Sequence, residues 1–147
     1  MEDKSKWPRG LRMNNPGNIE KTKPGKQKWQ GEIESTDSRF AQFVDIRYGY
    51  RAMFKLLYNY ITKLKKNTIE GMISTWAPPL NNEGKVENNT EAYIKTVSTN
   101  SKVDRKKVLT KDSAEDLIAI VAAMSGVENG RIAVIDDVRK GYEASKV

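Results

Sequence analysis

The carboxylate best placed for chemistry in this chain is Glu128, which follows the apolar run Leu117 to Met124 and precedes Asn129-Gly130. A carboxyl group at the end of an apolar helix is partly desolvated and sits near the negative end of the helix dipole, and both effects favour the protonated form of such a group. Glycosidic cleavage needs a carboxylic acid of that kind, because the leaving oxygen departs poorly until it receives a proton. The plainer alternative is a solvated residue at a frayed helix end.

Glu87, in Val86-Glu87-Asn88-Asn89-Thr90-Glu91-Ala92-Tyr93, is the second candidate catalytic carboxylate. It lies just ahead of a helix, so a favourable charge for the helix dipole is the competing explanation. Glu32, Glu34 and Asp37 rank third as the opposing member of an acid/base pair, since charged residues on a short hairpin are usually solvated.

The run Arg9-Gly10-Leu11-Arg12-Met13-Asn14-Asn15-Pro16-Gly17-Asn18-Ile19 sets three Asn around a Pro-Gly turn. Asn amides both donate and accept, which suits a ligand rich in hydroxyl and amide groups such as an N-acetylated sugar. An ordinary turn would use the same residues. Trp29 and Trp76 stand beside Gly or Pro rather than within a helical stripe, a setting for stacking on sugar rings, although core packing is the default for Trp.

Composition limits the chemistry further. The 147 residues include no Cys and no His, which removes thiol and Ser-His nucleophiles, disulfides and nearly all zinc sites. Acid-base work must fall to Glu or Asp, and neither metal nor organic cofactor is called for. Lys and Arg outnumber Asp and Glu by 26 to 19, a balance favouring an anionic partner such as nucleic acid, a membrane surface or a bacterial wall polymer. The clusters Lys63, Lys65, Lys66 and Arg105-Lys106-Lys107 lack interleaved aromatics, so they read as solvated surface rather than a nucleic-acid groove. The charged start, Met1 to Lys6, shows no secretory signal, and no apolar run is long enough to cross a bilayer.

The elements that must position these residues follow from periodicity. Trp29–Glu34 and Arg39–Val44 flank a polar Ser-Thr-Asp-Ser connection and predict a hairpin. From Gly49 onward, Met53, Leu56, Leu57, Tyr60, Ile61 and Leu64 fall at helical spacing. Capping-box spacings begin at Asn67, Asn88 and Asp112, opening a short helix stopped by Pro78-Pro79, a third helix, and a buried central helix running to about Val127. A last helix, about Ile132 to Tyr142, should turn Ile135, Val138 and Tyr142 inward. The sum is a single domain over 1–147, α+β and mainly α, with a small hairpin set apart from the helices.

The order of Arg9-Gly10-Leu11-Arg12, Asn14-Asn15-Pro16-Gly17-Asn18-Ile19, Trp29-Gln30-Gly31, Trp76-Ala77-Pro78-Pro79, Glu87-Asn88-Asn89-Thr90 and Glu128-Asn129-Gly130 resembles a family of small bacteriophage and prophage virion proteins. Its pattern is similar to that of lysozyme-like peptidoglycan hydrolases. In glucosaminidases of the lysozyme superfamily an Asn-rich loop likewise precedes a hairpin and a long helix, but the catalytic Glu closes a helix ahead of that loop. Here the matching helix is the one ending at Glu128, so the resemblance implies a circularly permuted lysozyme-like domain. Met13 stands where another Asn is usual, and Leu80 to Val86 lengthen the link to Glu87.

The resemblance implies peptidoglycan glycan-strand cleavage, by a glycoside hydrolase or lytic transglycosylase, with Glu128 and Glu87 as catalytic candidates. Asn14, Asn15, Asn18, Trp76, Asn89 and Tyr93 would bind substrate. A non-enzymatic virion or wall-binding module is the rival. The implied partners are bacterial peptidoglycan and other virion or tail proteins, without specific nucleic acid or membrane insertion. A monomer is expected, made in the bacterial cytoplasm and reaching the wall by non-Sec release or within a virion.

Overall fold

The computed structural model describes residues 5–146. Among them are helices α1 (Arg9–Arg12), α2 (Ile46–Thr62), α3 (Ile69–Trp76), α4 (Thr90–Ser101), α5 (Ala114–Asn129) and α6 (Ile135–Ser145). Strands β1 (Glu32–Ile33) and β2 (Gln42–Phe43) form a two-stranded antiparallel sheet. The mainly helical α+β class is as the periodicity implies. None of the helices is long and apolar enough to cross a membrane.

Core packing centres on α5, whose Leu117, Ile118, Ile120, Val121, Ala123 and Met124 are buried. Glu115 and Asp116 in its first turn complement the positive end of its dipole. Gly130 ends it in the left-handed conformation, at φ 63°, where a residue without Cβ costs least. α2 and α6 cross in close contact because Gly141 has no side chain: a Cβ there would lie 2.3 Å from the Cβ of Tyr50. Tyr142 meets Phe54 edge-on in the same interface, with ring centroids 5.4 Å apart.

Several boundaries differ from the sequence reading for local reasons. α2 begins at Ile46 because the Asp45 carboxylate accepts the Arg47 N–H, and it stops at Thr62, leaving Leu64 outside it and 48% exposed. The cap of α3 is Thr68 rather than Asn67, and that of α4 is Asn89 rather than Asn88. α6 starts three residues later than expected, so Ile135 falls in its first turn and is 45% exposed instead of packing inward; Val138 and Tyr142 are buried as expected.

The hairpin is shorter than its apolar alternation suggests, pairing Glu32 with Phe43 and Ile33 with Gln42. Side chains do the remaining work. Glu32 turns back to accept from the Thr22 hydroxyl at 2.6 Å and from the Trp29 N–H at 3.0 Å. Asp37 accepts from the N–H groups of Arg39 and Phe40, which hold its carboxyl below its ordinary pKa. Both carboxylates thus organise the loops around the hairpin.

Candidate active site

The Asn-rich loop is locked before any ligand arrives. Asn15 is 1% exposed; its amide donates to the carbonyls of Ile19 and Ala41 while its oxygen accepts the Ile19 N–H. Asn14, in the left-handed region at φ 55°, donates to the Phe43 carbonyl. The side-chain amides of these two residues, expected to bind substrate, brace the loop by pairing with backbone groups of Ile19, Ala41 and Phe43. The loop also lies hard against α2, where a Cβ at Gly49 would sit 2.1 Å from the Asn14 carbonyl oxygen.

Asn18 is the member of the trio that faces the site. Its amide donates to Glu128 Oε1 at 3.1 Å and to the Glu128 carbonyl at 3.3 Å. On the other carboxylate oxygen, Oε2, converge the Tyr93 hydroxyl at 2.8 Å and the Trp76 indole N–H at 3.3 Å. Three elements thus aim donors at one carboxylate: the Asn-rich loop, the last residue of α3 and the first turn of α4. Burial, and then the charge of Glu128, push the Tyr93 hydroxyl above its ordinary pKa, so it remains a donor.

Asn129, next to Glu128, completes the joint. Its buried amide donates to the Pro16 carbonyl at 2.8 Å and to the Ser125 carbonyl at 2.9 Å. Sequence reasoning passes over this residue, although an amide on the last turn of a buried helix, one position before a capping Gly, is a signal that such a bond is needed.

Glu128 lies where two grooves meet. One, of about 470 Å³, runs between the helices and the hairpin, past Asn18, Trp29, Phe40, Trp76, Glu87 and Glu128. The other, of about 400 Å³, continues along Asn89, Tyr93, Val127 and Glu128. Asn89 borders this second groove with its side-chain oxygen occupied by the Ala92 N–H. A carboxylate flanked by cleft on both sides suits an extended ligand crossing it.

Glu87 is brought to the same cleft, on its rim. Leu80 and Val86 bridge each other and the Glu87 N–H donates to the Pro79 carbonyl, so the added residues form a closed excursion that returns the chain to its starting point. The Glu87 carboxylate pairs with Arg39 from the hairpin side at 3.4 Å, and Arg39 also holds Glu20 at 2.9 Å. Glu34 borders a separate surface groove beside the hairpin.

No protein-family model matches the chain. Over 137 residues, however, it is 36% identical to "Protein P5" of Pseudoalteromonas phage PM2, an alignment spanning 92% of this chain and 80% of that protein. The chain belongs to the Protein P5 family. The kinship with bacteriophage proteins implied by the motif order is thereby shown. In this member of the P5 family, Asn18, Trp76, Tyr93 and Glu128 are assembled into one site, Glu87 and Asn89 border it, and Asn14 and Asn15 support it from behind.

Proposed function

We propose that this phage protein cleaves the glycan strands of peptidoglycan, with Glu128 as general acid and then general base. The observation that carries this reading is the placement of the Glu128 carboxylate, oriented by Asn18, Trp76 and Tyr93, at the junction of two grooves. A carboxylate oxygen accepts about two hydrogen bonds. Oε2 already takes two side-chain donors, whereas Oε1 takes one. Oε1 is therefore the oxygen that carries the catalytic proton, and protonation there leaves the bonds from Tyr93 and Trp76 intact.

In the first step Oε1–H protonates the glycosidic oxygen as the bond from that oxygen to the anomeric carbon breaks, its electron pair leaving with the oxygen. The oxocarbenium-like centre is captured by the sugar's own acetamido or 6-hydroxyl group, so no second carboxylate is required. Where the 6-hydroxyl attacks, Glu128 takes up its proton and a 1,6-anhydro end results; where water finishes the reaction, Glu128 deprotonates the water and a reducing end results. Trp29, Phe40 and Trp76 supply aromatic surface along the groove, and Glu87 sits on its rim.

The bond between Asn18 and Glu128, residues 110 positions apart, supports a lysozyme-like arrangement in which the final third of the chain supplies the helix that such enzymes place first. A virion-associated setting fits kinship with a phage protein. One observation favours the rival, a wall-binding module without turnover: both Glu128 oxygens are occupied as acceptors, which also describes a carboxylate that merely shapes a cleft.

The decisive experiment is digestion of purified peptidoglycan followed by mass analysis of the soluble fragments. Wild type should release fragments with 1,6-anhydro or reducing ends, and Glu128→Gln should reduce the rate by about 10²- to 10⁴-fold, the range of a lost general acid. Equal, negligible release by both proteins while both still sediment with the wall would establish the binding module.

A further inference from the structure

A second surface lies at the opposite pole from the cleft. α3, α4 and α5 each have one end at Glu128 or its partners and the other at this pole; α5, with 16 residues, separates the two by about 24 Å. Loops 63–68 and 102–111 meet there, as the Leu109 N–H donates to the Asn67 carbonyl at 2.8 Å and the Glu70 N–H to the Arg105 carbonyl at 3.2 Å. Two lysine clusters far apart in sequence become one surface. Over 63–70 and 102–112 there are eight cations and three carboxylates, and Glu91 and Asp116 reach in from α4 and α5 to make five, so the pole is net positive.

The carboxylates nearby are largely engaged. Glu70 and Glu91 hold Arg105, Asp116 holds Lys107, and Asp104 accepts the Lys106 N–H. Lys63, Lys65, Lys66, Lys102, Lys106 and Lys111 are exposed, with no salt bridge among the described residues. Lys65 and Lys102 even occupy the left-handed region, at φ 59° and 60°, where a glycine would sit with less strain. Between these cations stand two bare aliphatic side chains, Leu64 at 48% and Val108 at 66% exposure.

The pairing of lysine with exposed aliphatics selects the partner. Surfaces that hold single strands use stacking aromatics, and surfaces that read base edges use arginine forks. Lysines around protruding Leu and Val suit a bilayer surface, where ammonium groups meet headgroup phosphates and the aliphatic tips enter the interface. We propose that this pole docks on an anionic lipid bilayer, leaving the Glu128 cleft facing away from it. The proposal does not depend on cleavage.

The test is co-sedimentation of the full chain with vesicles of phosphatidylcholine alone or with about one third phosphatidylglycerol, at about 50 and 500 mM salt. Binding to the anionic vesicles at low salt and release at high salt are expected. Replacing Lys63, Lys65, Lys66 and Lys106 together by Gln should weaken binding by about 100-fold or more. Leu64→Ser with Val108→Ser should weaken vesicle binding by about 10-fold while leaving retention on duplex DNA unchanged. These positions are exposed, and far-UV circular dichroism confirms the fold of each variant. Absence of binding by folded wild type, equal binding to neutral vesicles, or tighter binding to duplex DNA with the serine variant indistinguishable from wild type on vesicles would each overturn the proposal.

Discussion

Asn18 donates its side-chain amide to Glu128 Oε1 at 3.1 Å, tying the second residue after Pro16 to the end of α5. The same amide reaches the Glu128 backbone carbonyl, and the neighbouring Asn129 returns a bond to Pro16. Loop and helix end are thus stitched by both side chains and backbone, which fixes the direction of the carboxylate rather than only its position. Preorganisation of this kind is what a proton donor requires, since small misplacements of a catalytic group reduce rates steeply.

Tyr93 donates its hydroxyl to Glu128 Oε2 at 2.8 Å, and under the proposed cleavage its loss should separate rate from binding. Tyr93→Phe should lower kcat for peptidoglycan cleavage by about 10- to 100-fold with little change in KM, because the donor on Oε2 disappears while the groove keeps its shape. A change confined to KM, measured by fragment release over a range of peptidoglycan concentrations, would place Tyr93 in substrate binding instead.

Glu87 and Glu128 border one cleft but should behave differently on neutralisation. Glu87→Gln breaks an exposed pair with Arg39 and should keep cleavage within about 5-fold of wild type, with stability changed by less than about 1 kcal/mol. A loss comparable to that of Glu128→Gln in the same digestion assay would restore Glu87 as a catalytic carboxylate.

Asn15 should matter to stability alone. Asn15→Ala strands the Ile19 N–H and the Ala41 carbonyl around a buried site, while the Ile19 carbonyl keeps the Ala41 N–H, and should cost about 3 kcal/mol in urea unfolding. Any cleavage defect should scale with the unfolded fraction and vanish at low temperature. A defect that persists in fully folded protein would mean that the loop's braces contribute to the chemistry.

High pH should destabilise the protein through its buried tyrosines. Burial pushes the Tyr50 hydroxyl from 10 up to about 12, opposed by its bond to Ser125, and Tyr93 is raised for the same leading reason. A group whose pKa is higher in the folded state gives stability that is intact below the unfolded value and lost as pH rises towards the folded one. At pH 11, one unit above the unfolded value, each such tyrosine should already withdraw about 1 kcal/mol. Thermal melts at pH 8 and pH 11 should show this loss, and Tyr50→Phe should reduce the difference between them. Equal pH dependence in both proteins would count against burial of a titrating hydroxyl at this position.

Sequence by itself determined which chemistry was available and where the helices lie. Without His or Cys, any acid-base chemistry falls to carboxyl groups, and an apolar run ending in Glu marks Glu128 as the candidate. The 3.6-residue period places α2, α3, α4 and α5 to within a few residues. Even here the cap choices at Thr68 and Asn89 depended on which of two adjacent side chains could bend back to an N–H, a matter of backbone angles that spacing does not encode.

Tertiary structure alone decided which of three similar Asn faces the cleft. Asn14, Asn15 and Asn18 offer the same amide, but two are consumed by carbonyls of Ile19, Ala41 and Phe43 that become neighbours only on folding. It also decided that Trp76 and Tyr93 point at Glu128, and that lysines near 65 and 106 share one pole. Period and composition report the environment along one element. Convergence of donors from several elements on one carboxylate is set by how those elements pack, and that information resides in contacts between residues as distant as 18 and 128.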